Sequence, residues 1–317
     1  SQLPWQVAPQ AVFFRVVEWF LAVLLGLLRR LPLVTVARLG RRLGGLACHL
    51  DQRHRRVAEE NLSQAFPELD PTEVRALALE NFRRLGEAYA SAIRTPGMDP
   101  EALRSQIEIV GLDEILATGI DRLVVATGHF GSFDLLAHGQ SRWPEWHLAT
   151  TYRAQRFLPL ERVLQRLRAL TGVWFIDRHE ATQAISGLFE RGKAILALFS
   201  DQHGGGKGLW LPFLGRHCSC STAPAVIALR YRATLAMAIC YRTDLARWRI
   251  EVGPVIPTHD EQGQERPVEA ITRDIQRQYE IAVRRDPANW FWVHRRWKPA
   301  SAHQLSQSQS QPAPSTP

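Results

Sequence analysis

Apolar positions change their period along the chain, and each change predicts an element. Residues 11–28, AVFFRVVEWFLAVLLGLL, are apolar apart from Arg15 and Glu18, and Arg29, Arg30, Arg38, Arg41 and Arg42 follow closely. A spanning helix needs about 20 predominantly apolar residues. This run is shorter and carries charge, so it predicts a helix lying at or dipping into a membrane, anchored by arginines on anionic lipid. The competing reading is an amphipathic helix that covers the protein's own core. No A-x-A site follows the run, which argues against a cleavable signal peptide. Residues 51–95 carry helical spacing: Arg55 to Phe66 up to Pro67, then a second helix from Asp70-Pro71-Thr72-Glu73 to about Arg94. Asp70 is placed as N-cap there, with Pro71 at the first helical position.

From residue 106 the pattern alternates between short apolar strands and helices. Strands are predicted at Ile107–Val110, Arg122–Thr127, His147–Thr151, Val173–Ile176 and Ala194–Ser200, and later at Leu235–Tyr241 and Trp248–Val252. Helices are predicted at 133–140, 158–170, 182–191 and 268–285. This order implies an α/β fold with a mixed, largely parallel sheet flanked by helices. The expected organisation is an N-terminal membrane-associated helix over residues 1–35, one α/β domain over 36–300, and a Ser/Gln/Pro tail over 301–317 whose composition predicts disorder.

Charge narrows the partners. Lys plus Arg is 39 against 31 Asp plus Glu, a formal net charge of +8, and nearly all the positive charge is arginine. Such a surface favours phospholipid headgroups, acidic carriers or phosphorylated substrates. The four cysteines show no framework spacing and fit a reducing compartment. A zinc site from His217, Cys218 and Cys220 lacks the usual C-x2–4-C pair, and His129, Asp134 and His138 match no metal spacing. No metal is therefore expected. There is no G-x-S-x-G, no H-E-x-x-H and no Walker A loop; the glycines at 204–208 read instead as a flexible lip over a cleft.

The candidate chemistry lies in Gly128-His129-Phe130-Gly131-Ser132-Phe133-Asp134. An apolar strand runs straight into a histidine with glycines close by, and active sites of open α/β sheets lie beyond strand carboxyl ends. Asp134, on the following helical turn, is expected to accept from His129 Nδ1 and leave Nε2 as a base. This pair has no protein nucleophile, which suits direct attack by a substrate hydroxyl on a thioester. Arg153 and Arg168 suit phosphate or carrier recognition, with solvated helix faces as the bland alternative. Asp201, just past a strand, would bind a sugar or support the site, and Gln202 follows it. Trp290 to Lys298 mixes tryptophan, phenylalanine and arginine. It reads either as a membrane-interface segment or as a core-packing strand with its arginines turned outward. A nucleic-acid surface would leave the His129–Asp134 pair unexplained, and none is expected.

The H-x4-D arrangement of His129 and Asp134 resembles the glycerolipid-type acyltransferase signature. The wider GHFGSFD resembles the lauroyl/myristoyl acyltransferases of lipid A biosynthesis and their phosphatidylinositol-mannoside relatives, where Glu often stands at the position of Asp134. Further segments agree in order: Asn61-Leu62 with Phe66-Pro67-Glu68, Tyr152-Arg153, Arg168 with Gly172, Asp201-Gln202 with Gly204–Gly206, Pro212-Phe213-Leu214-Gly215-Arg216, and Trp290 to Lys298. No EGTR-like block appears, which favours the lipid A-type branch. The resemblance implies a bacterial enzyme at the cytoplasmic face of the inner membrane. It would move an acyl chain from an acyl-carrier-protein or coenzyme A thioester to a lipid A precursor or related glycolipid. His129 would be the base, Asp134 its partner, and Arg153, Arg168, Asp201 and Gln202 the substrate-binding residues, with no cofactor. The alternatives are another acceptor (an inositol mannoside, an ornithine lipid or another glycolipid) and a non-catalytic, membrane-docked relative.

Overall fold

A computed structural model describes residues 9–300. The predicted Ser/Gln/Pro tail and the first eight residues lie outside the described part. The elements are α1 (Pro9–Leu28), α2 (Leu33–Leu50), α3 (Gln52–Ala65), α4 (Pro71–Arg94), α5 (Pro100–Arg104), β1 (Ile107–Val110), α6 (Leu112–Leu116), β2 (Arg122–Thr127), a 3-10 segment Phe133–Ser141, β3 (His147–Tyr152), α7 (Leu158–Ala169), β4 (Trp174–Asp177), α8 (Ala181–Glu190), β5 (Ala194–Phe199), β6 (Leu209–Phe213), β7 (Arg216–Cys220), α9 (Ala223–Arg230), β8 (Thr234–Asp244), β9 (Arg247–Val255), α10 (Val268–Arg285) and a 3-10 turn Pro287–Asn289.

The main sheet has seven strands in the order β1-β9-β8-β2-β5-β3-β4, and β6 and β7 form a separate hairpin. Within the main sheet only the β8–β9 pairing is antiparallel, so the mixed, largely parallel sheet expected from the alternating pattern is present. Side-chain alternation sorts the core into two layers. Val124, Ala126, Leu196, Leu198, Met237 and Ile239 face one side. Leu123, Val125, Ile195, Ala236, Ala238 and Ile250 face the other. Helices α3, α4, α8, α9 and α10 contribute buried side chains to the first layer. Helices α2, α5 and α6 and the 3-10 segment contribute to the second.

Helix α4 starts as its sequence dictates. The Asp70 carboxylate accepts from the Thr72 and Glu73 amides, Glu73 reaches back to the Asp70 amide, and Pro71 holds the first position. Helix α2 was not expected: its Gly40, Gly44 and Gly45 weaken the helical signal. The glycines are explained by tertiary packing. A Cβ on Gly44 would lie 2.1 Å from the Phe82 carbonyl oxygen, and one on Gly86 would lie 2.1 Å from that of Gly40. The absent side chains let α2 and α4 touch backbone to backbone.

Helix α1 carries an apolar face turned outward, with Trp19 67% exposed and Phe13, Val16, Phe20 and Leu27 all exposed. Its other face packs on α7, where Arg162 and Arg166 bind the buried Glu18 at 3.2 and 2.5 Å. The anionic charge inside the apolar run is thereby neutralised within the protein. One face of the helix thus covers the protein itself, as the competing reading expects, and the other is exposed. No helix among the described residues is long and apolar enough to cross a membrane.

Two further expectations change. The glycines at 204–208 do not line the cleft described below. The Gly204 amide donates to the Ser219 carbonyl at 3.0 Å, and the Ser219 hydroxyl donates to that of Gly205 at 2.6 Å. The segment from Trp290 is an irregular run, not a strand, and Arg296 is turned inward with no exposure.

Gly44→Ala is expected to cost about 1–3 kcal/mol of stability, because a backbone contact offers no rotamer escape. Urea or thermal unfolding checks this, and an unchanged midpoint would show that the α2–α4 crossing can spread at no cost.

Candidate active site

Strand β2 ends at Thr127 and runs in parallel register with β5, pairing Thr127 with Phe199. Two residues further on, the same register sets His129 beside Asp201. The His129 ring Nδ1 lies 2.9 Å from Asp201 Oδ1, and the His129 backbone amide donates to Oδ2 at 2.9 Å. Trp290 Nε1 donates to the same Oδ2, also at 2.9 Å. Asp201 has no solvent exposure and the His129 side chain keeps 22%. The carboxylate therefore holds Nδ1–H and leaves Nε2 as the free base on a cleft.

This corrects the expected role of Asp134 as the hydrogen-bonding partner. The chain turns at Gly131 (φ 52°), where a Cβ would meet the Cys240 carbonyl oxygen at 2.7 Å. The tightly wound 3-10 segment that follows carries the Asp134 side chain into the cleft wall, and Phe133 packs edge-on against the His129 ring with centroids 4.8 Å apart. Asp134 remains electrostatically coupled to His129 and Arg168. Asp201 supports the histidine and does not line the cleft. The carbonyl of Gln202 is held by Arg296 at 3.1 Å, and Gln202 does not line the cleft.

Burial works against a charged His129, but the charge of Asp201, its hydrogen bond and the nearby Asp134 outweigh burial and raise the imidazole above its ordinary value. Asp201 shows the opposite balance. Burial pushes it up, yet His129 and the donors from its ring, its amide and Trp290 hold it below the usual carboxylate range. Asp134 keeps solvent exposure on the cleft, yet the desolvation of its surroundings outweighs His129 and Arg168 and its value is raised. His138, on the same wall, is lowered to about 4 by burial and lies 3.0 Å from the Thr95 hydroxyl.

The cleft holds an empty volume of about 1380 Å³, its open side included, and is lined by His129, Asp134, Tyr89, Arg153 and Arg168 among others. Arg153 is exposed there. The Arg168 guanidinium lies 4.3 Å from the Tyr152 ring centroid and 3.4 Å from Glu161. A second cavity of about 760 Å³, measured the same way, opens beside it. Phe133, Asp134, Ala137, Thr150, Phe175 and Phe199 line both. Every strand of the main sheet contributes to this second cavity. Its lining is apolar apart from Asp134 and Thr150, with small residues at Ala137, Gly139, Ala149, Ala197 and Ala238. Sequence patterning did not reveal it, because its walls read as ordinary core.

Asp201→Asn removes the charge that holds up the His129 value. The imidazole should then titrate at lower pH than in the parent, as read by NMR of the labelled ring; an unmoved titration would mean that Asp134 sets it.

Matching the chain against protein-family models aligns residues 10–299 with the bacterial lipid A biosynthesis acyltransferases. Over 288 residues the chain is 26% identical to the lipid A biosynthesis palmitoleoyltransferase of Escherichia coli K12, covering 88% of this chain and 90% of that protein. It is equally similar, over the same shares, to a lipid A biosynthesis acyltransferase of Shigella flexneri. With a family match over nearly its whole described length, the chain belongs to the bacterial lipid A biosynthesis acyltransferase family.

Proposed function

We propose that this acyltransferase moves a fatty acyl chain from an acyl-carrier-protein or coenzyme A thioester to a hydroxyl of a lipid A precursor or related glycolipid. The observation that carries this reading is an apolar cavity that shares a wall with the cleft on which His129 stands. The apolar cavity suits a hydrocarbon chain, which gains about 0.8 kcal/mol per buried methylene. The adjoining cleft, with Arg153 and Arg168, suits an anionic carrier or headgroup. His129 Nε2 takes the proton of the acceptor hydroxyl as its oxygen attacks the thioester carbonyl. Collapse of the tetrahedral intermediate breaks the C–S bond, and the imidazolium returns the proton to the departing thiolate. The backbone amides of residues 129, 130 and 131 are already bonded to Asp201, Gly128 and Asn289. An arginine of the cleft is thus the better candidate for the oxyanion.

The exposed face of α1 supports membrane contact. Large apolar side chains turned outward along a helix are costly in water and match a lipid surface. With nucleotide-linked or protein-linked donors, the working side is the cytoplasmic face of the inner membrane.

Acyl transfer is the test. Purified protein is offered carrier-protein and coenzyme A thioesters with a panel of lipid A precursors and other glycolipids. Lipid-dependent transfer is expected, with His129→Ala reducing turnover by roughly 10²–10⁴ while unfolding is unchanged. A variant as active as the parent would reject the base assignment. The rate in the parent should rise with pH through a value above 6.5, because the raised His129 must lose its proton to act. Ala238→Leu, which fills the apolar cavity, should slow long-chain thioesters more than short ones; equal slowing would place the chain elsewhere.

A further inference from the structure

A second basic pocket adjoins the cleft. It is lined by Arg29 and Arg30 after α1, by Arg94 at the end of α4, and by Gly97, Met98 and Asp99, with about 840 Å³ of empty volume, open side included. Arg29 Nη2 donates to the Pro96 carbonyl at 2.7 Å, and Arg94 Nε donates to the Leu31 carbonyl at 2.8 Å. These two bonds staple the α1–α2 corner to the end of α4. Each spends only one of the five N–H donors of a guanidinium. The carboxylate on the lining, Asp99, already caps α5 by accepting from the Ala102 amide at 2.9 Å. No ion pair to Arg29, Arg30 or Arg94 occurs among the described residues. Arg94 is lowered by burial and by the like charge of Arg29. An anion between the two would relieve that repulsion.

Position adds to charge. Pro96, whose carbonyl fixes Arg29, also lines the catalytic cleft. Gly26, near the end of the exposed apolar face of α1, lines the pocket itself. A lipid whose hydrocarbon follows α1 would bring its polar head to this corner. Fixed guanidiniums with spare, diverging donors match the oxygens of phosphate.

We propose that Arg29, Arg30 and Arg94 form a phosphate-binding site that holds a phosphate group of a lipid beside the catalytic cleft. The site rests on the reading above that the acceptor is a lipid. Its two possible sources are the phosphate of a glycolipid acceptor and the headgroup of a bilayer phospholipid.

The full chain is assayed with a phosphorylated glycolipid acceptor and with the same acceptor after phosphatase treatment. The variants are Arg30→Ser, the double variant Arg30→Ser/Arg94→Ser, and Arg94→Lys as the charge-preserving control. Melting temperatures are followed throughout, because Arg94 also staples the corner. Arg30→Ser should raise KM for the phosphorylated acceptor about tenfold, leave kcat unchanged, and leave the stripped acceptor unaffected. Arg94→Lys should fall between Arg30→Ser and the parent. A loss of flotation on phosphatidylglycerol vesicles, relative to phosphatidylcholine, without discrimination between acceptors would assign the site to a phospholipid headgroup. Unchanged KM for both acceptors together with unchanged flotation would overturn the proposal. Should the parent transfer no acyl group, binding of the two acceptors in detergent micelles decides the site independently, and the proposed activity alone would fall.

Discussion

The site depends on one buried carboxylate. Asp201 is removed from water and kept ionised by donors from three places: the His129 ring, the His129 amide and the Trp290 indole. An isolated carboxylate in such surroundings would protonate. The donors must therefore be held in place by the rest of the chain, and much of the surrounding structure does this. Parallel pairing of β2 with β5 sets the histidine beside the aspartate. The buried Tyr279 donates to the Thr127 carbonyl at 2.6 Å and meets the Ser200 hydroxyl at 2.7 Å, so one side chain of α10 ties together the ends of both strands. The irregular C-terminal run brings Trp290. It is fastened by Asn61, which donates to the carbonyls of Trp292 and His294, and by Asn81, which donates to those of Ala288 and Trp290. Arg296, without exposure, donates to the carbonyls of Gln202 and Ser219 and to the Gln276 side chain. A buried guanidinium bonded to these groups fixes the loop on which Asp201 stands.

These fastenings separate what was legible in the sequence from what was not. Elements whose signal is local were legible: the Asp70–Glu73 cap, the apolar strands, and a histidine between glycines at a strand end. The motif order also carried the family. The role of Asp201 was not local. It lies 72 residues from His129 and became readable only through strand order, which places β5 directly beside β2 although β3 and β4 intervene in sequence. Asp134 looked like the partner because spacing on an ordinary helix would bring it back to the ring. The 3-10 winding and the turn at Gly131 break that assumption. Helix α2 was hidden for a related reason, since its glycines weaken the helix locally and are explained only by the face of α4. The WFWVHRRW run divided into two readings because composition cannot tell a tryptophan at an interface from one in a core. Burial of Trp290, Trp292 and Arg296 decides it.

Freed from the imidazole Nδ1, Asp134 occupies a different place in the chemistry. It stands on the lining shared by the apolar cavity and the basic cleft. Its carboxylate is exposed to the cleft, and desolvation there raises it above its ordinary value. Both His129 and Arg168 act on it, so the sign of the field at the junction depends on all three groups together. A positive charge on His129 is met by Asp201 behind the ring and by Asp134 beside the cleft. The two acids thus stand in different places: Asp201 fixes the orientation and tautomer of the imidazole, and Asp134 lines the cleft beside it.

The same division explains why an apolar cavity can adjoin a charged site without flooding it. The carboxylate that orients the base lies behind the ring, fully covered, so the cavity wall carries only the single charge of Asp134. Phe133 and Phe199 pack against the His129 ring and against each other, with centroids 5.5 Å apart, and both line the shared mouth. Aromatic rings at that point keep the shared wall apolar while Nε2 faces the cleft. Small side chains on the cavity floor leave the space, and the strands beneath them keep it open, because closing it would require the sheet to shift against helices on both faces. The cavity floor, the fixed imidazole and the outward-facing apolar helix stand on separate elements, so the orientation of His129 does not depend on how α1 meets its surroundings.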